Sequence, residues 1–237
     1  NMHFVSIKSV EQQSVLILHR ARDLLVRQRT MIMNAIRAHI AEFGVITAQG
    51  PRKVVDLITC LRDGDDLGLP ELACAAIEGL AIQLDSLTGQ IQGIERQLLL
   101  WHRQNPASQH LETIPGVGII TATALAASVP DASVFKSGRQ FAAYLGLVPR
   151  QNSSGGKDRL GRITKMGNGY LRRLLVVGAT SVVRRAETTN SKTGAWVRSL
   201  LERKPTRLVT VAIANKTART AWALLAKENT YHAAPAA

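Results

Sequence analysis

Two long stretches of helical periodicity constrain the fold of this chain more than any other feature. From about Val10 to Phe43 the sequence has no proline or glycine, and apolar residues recur at helical spacing until Gly44. A second helix is predicted to begin near Pro70 and carries eight apolar residues at alternating spacings of three and four. These are Ile77, Leu80, Leu84, Leu87, Ile91, Ile94, Leu98 and Trp101. We predict an antiparallel helical hairpin, joined by a connector at 45–69 with one short helix.

This heptad seam fits two kinds of packing. It can be buried inside the chain as part of a helical bundle, or it can join two copies of the chain as a coiled coil. The pattern does not choose between them. A homo-oligomer formed through the coiled coil is therefore one of the expected assemblies.

The charge distribution points to a polyanionic partner. Of the 237 residues, 30 are Lys or Arg and 17 are Asp or Glu, which gives a net charge of +13. Residues 1–131 hold 11 basic and 13 acidic side chains, whereas residues 132–237 hold 19 and 4. The second half is thus predicted to bind nucleic acid through its phosphates, in a salt-sensitive manner. Aromatic residues are only 4% of the chain and fall at helical positions, so no base-stacking surface is predicted.

Other residue types exclude several classes of protein. Two cysteines, Cys60 and Cys74, with no neighbouring histidine predict neither a disulfide framework nor a zinc site. The scattered histidines do not form a metal site, and His19 and His39 are predicted to face solvent on the first helix. No apolar run reaches the roughly 18 to 20 residues that a membrane span needs. We expect a cytoplasmic protein.

A change in composition near residue 106 predicts a domain boundary. Residues 1–105 form the helical coiled-coil segment. Residues 106–237 have shorter predicted helices, more glycines and most of the basic residues, and form a compact basic helical domain. The fold class is therefore mainly α. The helices of the second domain are predicted over 119–127, 137–145, 170–185, 192–201 and 208–226.

Two glycines near the start of the second domain fit a helix-hairpin-helix motif. Gly116 and Gly118 lie between apolar positions, and glycine allows a tight turn whose backbone N–H groups point at one phosphate. Such a site holds a nucleic-acid backbone without reading bases. The alternative is a plain turn between two packed helices.

A glycine-rich basic segment at 146–169 is the best place for chemistry, as a short loop or β-hairpin. It contains Ser153 and Ser154, and a serine hydroxyl can attack phosphorus when cations stabilise the growing phosphate charge. The alternative for Ser153–Gly156 is a flexible linker between two strands. One acid, Asp158, stands among the bases predicted to bind nucleic acid, which are Arg150, Lys157, Arg159, Arg162, Lys165, Arg172 and Arg173.

Four motifs together resemble a known family. The segments 114–118 (IPGVG), 141–149 (FAAYLGLVP), 153–157 (SSGGK) and 161–168 (GRITKMGN) are similar in order and spacing to the C-terminal domain of bacterial insertion-sequence transposases related to the Piv and MooV DNA invertases. Residues 5–44 resemble the segment that leads into the coiled coil of those proteins. The resemblance thus covers nearly the whole chain.

The resemblance implies an enzyme of several parts. A RuvC-like domain with a DEDD set of carboxylates precedes the coiled coil, and the C-terminal domain supplies a serine that forms a covalent phosphoserine link to DNA. Ser154 best matches this catalytic serine, and Ser153 is the reserve. A structured guide RNA that pairs with DNA is also implied, as is a bacterial protein associated with the nucleoid.

The same resemblance also implies which part of the enzyme binds Mg²⁺. This sequence begins after the last expected DEDD carboxylate, so Mg²⁺ is expected only together with the absent RuvC-like domain, and none is expected to bind this chain. We expect the isolated chain to be an inactive part of a longer transposase. The alternative is a non-catalytic fragment that binds nucleic acid and dimerises.

Overall fold

The structure, a computed structural model, confirms the mainly α-helical fold. It describes residues 7–157 and 159–227, and within these ranges it has nine α-helices and one two-stranded sheet. The polypeptide divides into two compact units. One comprises residues 17–97, and the other comprises the remaining described residues, at 7–16, 98–157 and 159–227.

The unit at 17–97 contains parts of two long helices and one shorter helix. They are α1 (Val10–Ala41), α2 (Pro51–Asp63) and α3 (Glu71–Gln104). Arg22, in the first half of α1, pairs with Glu95, near the end of α3, at 2.6 Å, so the two long helices run antiparallel as predicted. The core of the unit consists of Ile36, Ile40, Val54, Ile58, Ile77, Ala81 and Leu84.

The heptad seam of α3 is largely buried inside the chain. Five of its eight side chains are at most 6% exposed, which is the burial expected for packing within one polypeptide rather than for an open coiled-coil surface. These five are Ile77, Leu84, Leu87, Ile91 and Leu98. The seam therefore stabilises the chain itself.

The prediction that His19 faces solvent is wrong. His19 lies one helical turn after the buried Val15 and is only 1% exposed, because the buried face of α1 is wider than the predicted stripe. His39 is exposed, as predicted. Burial, with a smaller contribution from the Arg22 charge, lowers the pKa of His19 to about 4.

The buried His19 predicts a pH-dependent stability for this unit. The unfolded chain takes up a proton near pH 6.5 and the folded chain only near pH 4. Stability is therefore greatest above pH 6.5 and falls as the pH drops towards 4, by about 3 kcal/mol for this one group. Urea unfolding at a series of pH values measures the change.

The variant His19→Gln should lose most of this pH dependence, since glutamine does not titrate. His39→Gln is the matched control, because it removes an exposed imidazole from the same helix. If both variants keep the full loss of stability on acidification, another group is responsible.

The second unit contains six further helices and the sheet. The helices are α4 (Pro106–Glu112), α5 (Ile119–Ser128), α6 (Gly138–Tyr144), α7 (Gly169–Arg185), α8 (Lys192–Leu201) and α9 (Thr206–Lys227), and a 3₁₀ turn spans Ala132–Val134. Asparagine and serine side chains accept hydrogen bonds from backbone N–H groups in the first turn of four of them and so fix where they begin. These caps are Asn105, Ser137, Asn168 and Ser191.

One apolar core holds this unit together, and α7 and α9 pack side by side at its centre. Leu125, Phe141, Leu171 and Leu175 are at most 1% exposed. The segments 7–16 and 98–105 are grouped here, whereas the sequence assigns them to the first domain. A hydrogen bond from the Trp101 indole to the Glu11 carboxylate joins these two end segments.

None of the helices in the described ranges has the length and apolar character needed to cross a membrane.

Candidate nucleic-acid and catalytic site

The predicted basic segment forms a β-hairpin. Strand β1 (Pro149–Gln151) pairs antiparallel with β2 (Leu160–Ile163), with an irregularity in register between Pro149 and Gln151. Beyond the strands, the Asn152 N–H donates to the Arg159 carbonyl at 2.9 Å. The hairpin therefore continues towards its tip, and the two strands place their basic side chains in solvent.

The tip of the hairpin is a two-residue turn. Lys157 N–H donates to the Ser154 carbonyl at 3.2 Å, and the two residues also form a β-bridge. Gly155 and Gly156 have φ of +58° and +75°, the positive values that a type I′ turn needs at both central positions. The string of serines and glycines is thus a defined turn and not a flexible linker.

The two candidate serines differ in their contacts. The Ser153 hydroxyl oxygen accepts a hydrogen bond from the Arg159 N–H at 3.1 Å, so this side chain helps to shape the hairpin. Ser154 is exposed, and its hydroxyl has no hydrogen-bond partner among the residues at 7–157 and 159–227. Of these two serines, only Ser154 has an exposed hydroxyl without a hydrogen-bond partner in the described part of the chain.

Close backbone contacts anchor the base of the hairpin. Gly146 and Gly167 both have positive φ, and a Cβ at either would overlap backbone atoms, of Met166 and of Tyr144 respectively. Lys165 has φ of +57°, an uncommon value for a side-chain-bearing residue, and its N–H donates to the Gly146 carbonyl. These contacts fix the direction in which the hairpin leaves the helical core.

Arg172 is committed to the same anchor. Its guanidinium Nη1 donates to the carbonyls of Leu145, at 2.9 Å, and Met166, at 2.6 Å. Its neighbour Arg173 lies over the Tyr170 ring, 5.3 Å from the centroid. The guanidinium groups of these two arginines therefore both have contacts within the protein.

Five of the predicted cations are exposed on or beside the hairpin. None of them forms an ion pair with a carboxylate in the described part of the chain, and Asp158 lies outside it. Like charges gathered without counter-charges favour an anionic partner. The five are Arg150, Lys157, Arg159, Arg162 and Lys165.

The predicted phosphate turn joins α4 to α5. Gly116 has φ of +85°, and a Cβ there would lie 2.8 Å from the Gly178 carbonyl oxygen and 2.7 Å from a methyl carbon of Val182. Gly116 is therefore required for packing against α7. Gly118 is exposed and precedes α5 without a side-chain cap, so the first N–H groups of that helix lack a capping side chain.

A buried serine and histidine and an exposed glutamate form a constellation that the sequence did not predict. The Nδ1 atom of His102 is 2.8 Å from the Ser108 hydroxyl, and its Nε2 atom is 2.8 Å from the Glu112 carboxylate. Although this resembles a hydrolytic triad, Ser108 is 0% exposed, so no substrate reaches it. The three side chains instead join the end of α3 to α4.

The described residues do not fit a metal centre. No group of three or more histidine, cysteine, aspartate or glutamate side chains comes together in residues 7–157 and 159–227.

Comparison with known proteins gives a consistent picture. Residues 108–194 match the family described as "Transposase IS116/IS110/IS902 family". The chain is 43% identical to a "Probable family 20 transposase" of Pseudomonas aeruginosa, over 98% of this chain and 69% of that protein. It is 42% identical to the "Putative transposase y4pF/y4sB" of Sinorhizobium fredii, over 98% of this chain and 60% of that protein.

A third relative is the "Transposase for insertion sequence element IS1111A" of Coxiella burnetii, 37% identical over 98% of this chain and 64% of that protein. The chain thus spans between 60% and 69% of the length of these three relatives. The matched family segment contains the α4–α5 turn, the hairpin and α7. This chain belongs to the IS116/IS110/IS902 family of transposases.

Proposed function

We propose that this chain supplies the nucleophile and much of the DNA-binding surface of an insertion-sequence transposase, which cuts and rejoins DNA through Ser154. The observation that carries the proposal is the hairpin tip. There, the exposed Ser154 hydroxyl has no hydrogen-bond partner in the described ranges, and the cations nearby form no ion pair with a described carboxylate. Membership of a transposase family supports DNA as the substrate.

The proposed reaction is a phosphodiester exchange. The Ser154 oxygen attacks phosphorus, and the bond from phosphorus to a deoxyribose oxygen breaks. The product is a phosphoserine link, and the serine proton is balanced by the new deoxyribose hydroxyl. Attack by the hydroxyl of a second strand reverses these steps and joins the new DNA.

In this proposal the hairpin cations bind the phosphate that Ser154 attacks. Arg150, Arg159 and Arg162 can bind phosphate oxygens in pairs through their planar guanidinium groups, and Lys157 and Lys165 add positive charge. Such groups stabilise the charge that grows on the phosphate during attack. In this proposal the α5 N-terminus at Gly118 binds another phosphate of the same backbone.

The proposal also includes a structured guide RNA. The exposed cations suit contacts with phosphate, which position a nucleic acid without reading its bases. An RNA that pairs with DNA would supply the sequence choice that these side chains do not.

Formation of a covalent adduct tests the proposal. Labelled element-end DNA is incubated with Mg²⁺, the guide RNA and this chain, either alone or joined to the RuvC-like domain of a full-length relative. We expect a protein–DNA adduct on a denaturing gel, mapped by mass spectrometry to Ser154, in the joined protein only. Tight, salt-sensitive binding without any adduct would overturn the serine chemistry.

That second outcome would favour a non-catalytic fragment that binds nucleic acid and dimerises. One observation supports self-association: Ile17, Leu24 and Met31 recur every seven residues on α1 and are 61%, 49% and 68% exposed. Sedimentation of the chain without nucleic acid separates a dimer from a monomer.

Arg162 provides a direct measure of phosphate contact. The variant Arg162→Gln should bind duplex DNA more weakly, and the slope of log K against log salt should decrease in magnitude by about 0.9, because one fewer counterion is released. Arg96→Gln is the control, since it removes an exposed arginine from the other unit. An unchanged slope for Arg162→Gln would place this side chain away from the DNA.

A further inference from the structure

A basic groove lies away from the hairpin, between α6, α8 and α9. It has a volume of about 850 Å³, in the range of ligand-binding clefts. Three cations line it: Arg139 of α6, and Lys216 and Arg219 of α9. All three are exposed, and within the described ranges none pairs with a carboxylate.

The helices that form this groove have an unbalanced charge. Together α6, α8 and α9 carry seven Lys and Arg residues and no Asp or Glu. A concave surface lined by one sign of charge concentrates the field and attracts ligands of the opposite sign. The charge of the groove therefore selects an anion.

The groove also contains two tryptophans, which the sequence placed on separate helices. The ammonium group of Lys216 lies 4.2 Å from the centre of the Trp196 ring, an arrangement that orients both side chains. The Trp222 indole is held by its hydrogen bond to the Ala132 carbonyl at 3.0 Å. The groove thus combines cations with fixed aromatic surface, the pairing that single-stranded nucleic acid requires.

The backbone keeps the groove in a fixed shape. Gly138 lies against α9 so closely that a Cβ there would be 3.0 Å from the Arg219 carbonyl oxygen. Asn215, which lines the groove, donates to the Leu147 carbonyl at 3.1 Å, just before the hairpin. The groove and the hairpin base are therefore parts of one packed arrangement.

The groove continues towards the glycine turn. Trp196, Lys216 and Thr220 also line a smaller cleft, whose other residues include Ile114 and Pro115. These two residues immediately precede Gly116. With a volume of about 30 Å³ this cleft is too small for a nucleotide, so it shows only that the groove and the glycine turn are neighbours.

We propose that this groove binds an unpaired segment of nucleic acid, with its phosphates on Arg139, Lys216 and Arg219 and a base beside the two tryptophans. The proposal rests on the proposed function, since it gives the same class of ligand a second site. A duplex would present its phosphates without an accessible base, so it would not use the aromatic surface.

Binding of short labelled oligonucleotides of about 12 nucleotides tests the proposal. Single-stranded DNA, the same sequence as RNA, and duplex DNA are compared by fluorescence anisotropy over a salt series. The groove variant combines Arg139→Gln, Lys216→Gln and Arg219→Gln. The matched control combines Arg20→Gln, Arg52→Gln and Arg96→Gln, three exposed arginines that lie in the other unit and carry the same total charge.

For single strands we expect the groove variant to lose about 50-fold in affinity at 150 mM salt, because three phosphate contacts contribute about 2 units of salt slope. The control should lose much less. Circular dichroism verifies folding, and if the triple variant does not fold, Lys216→Gln alone should reduce the slope by about 0.7. Equal losses in the groove variant and the control would overturn the proposal.

Comparison of the three oligonucleotides and of the two kinds of variant distinguishes failure of the groove proposal from failure of the proposed function. An equal loss of duplex affinity would show that the groove does not select unpaired strands, and the DNA and RNA arms identify which strand it prefers. If Arg162→Gln weakens binding but the groove variant does not, the groove proposal fails while the proposed function stands. If neither affects binding, the groove proposal fails and Arg162 lies away from the nucleic acid, while formation of the Ser154 adduct still decides the proposed function.

Photo-crosslinking gives a readout independent of charge. An oligonucleotide that carries 5-iodouracil is irradiated in the complex, and the crosslinked peptides are mapped by mass spectrometry. We expect crosslinks at Trp196 or Trp222. Crosslinks confined to aromatic residues outside the groove would contradict the proposed site.

Discussion

Replacing Gly178 by alanine is expected to lower the free energy of unfolding by about 3 kcal/mol. Gly178 lies in the interior of α7, where alanine ordinarily favours a helix. Here, however, an added Cβ would overlap the carbonyl oxygen of Gly116. Since both partners are backbone, no side chain can rotate away, and the α4–α5 turn must separate from α7.

The matched control is Gly89→Ala in α3. Gly89 is also inside a helix, but a Cβ there has no neighbour within 4 Å, so alanine should stabilise the protein by about 0.5 to 1 kcal/mol. Chemical denaturation measures both variants. Opposite signs are expected, and a neutral Gly178→Ala would mean that the turn does not depend on this contact.

Replacing Ser154 by alanine is expected to have the largest functional effect. In the joined protein of the proposed adduct test, strand exchange should fall by about 10⁴-fold or more, because the attacking oxygen of the proposed mechanism is removed. Binding should remain within a few fold, since the cations are untouched. Strand exchange is measured by conversion of labelled element-end DNA to joined product, and binding by anisotropy.

Ser153→Ala is the matched control for Ser154→Ala. It removes a hydrogen bond to Arg159 and should reduce activity moderately, through a less ordered tip. If Ser153→Ala abolishes exchange while Ser154→Ala leaves it intact, the nucleophile is the neighbouring serine. If both variants remain active, the serine mechanism is wrong.

Helical periodicity predicted most of the helices because their apolar faces are regular and long. The range 192–201 agrees with α8 at both ends, and 170–185 differs from α7 by one residue. The seven-residue α4 gave no such signal, because Leu111 is its one buried apolar residue, whereas the equally short α6 buries Phe141 and Ala142. His19 was assigned to the wrong face because one apolar stripe does not reveal how widely a helix is covered.

The hairpin site was also predictable in part. Glycines and serines between basic residues indicated a turn near Ser154, since their local chemistry favours tight turns. Which serine hydroxyl is uncommitted depends on Arg159 across the hairpin, and the commitment of Arg172 depends on carbonyls of two loops. Trp196 and Trp222 lie on different helices, so only tertiary packing reveals their common groove.

The Ser154–Lys157 turn has an entropic consequence for catalysis. A serine on a flexible linker samples many positions, and each productive encounter with a phosphate must first restrict that motion. The hydrogen bond and β-bridge between Ser154 and Lys157 restrict it during folding, before DNA arrives. In the proposed mechanism, the turn thereby raises the effective molarity of the Ser154 hydroxyl at a phosphate bound to the hairpin.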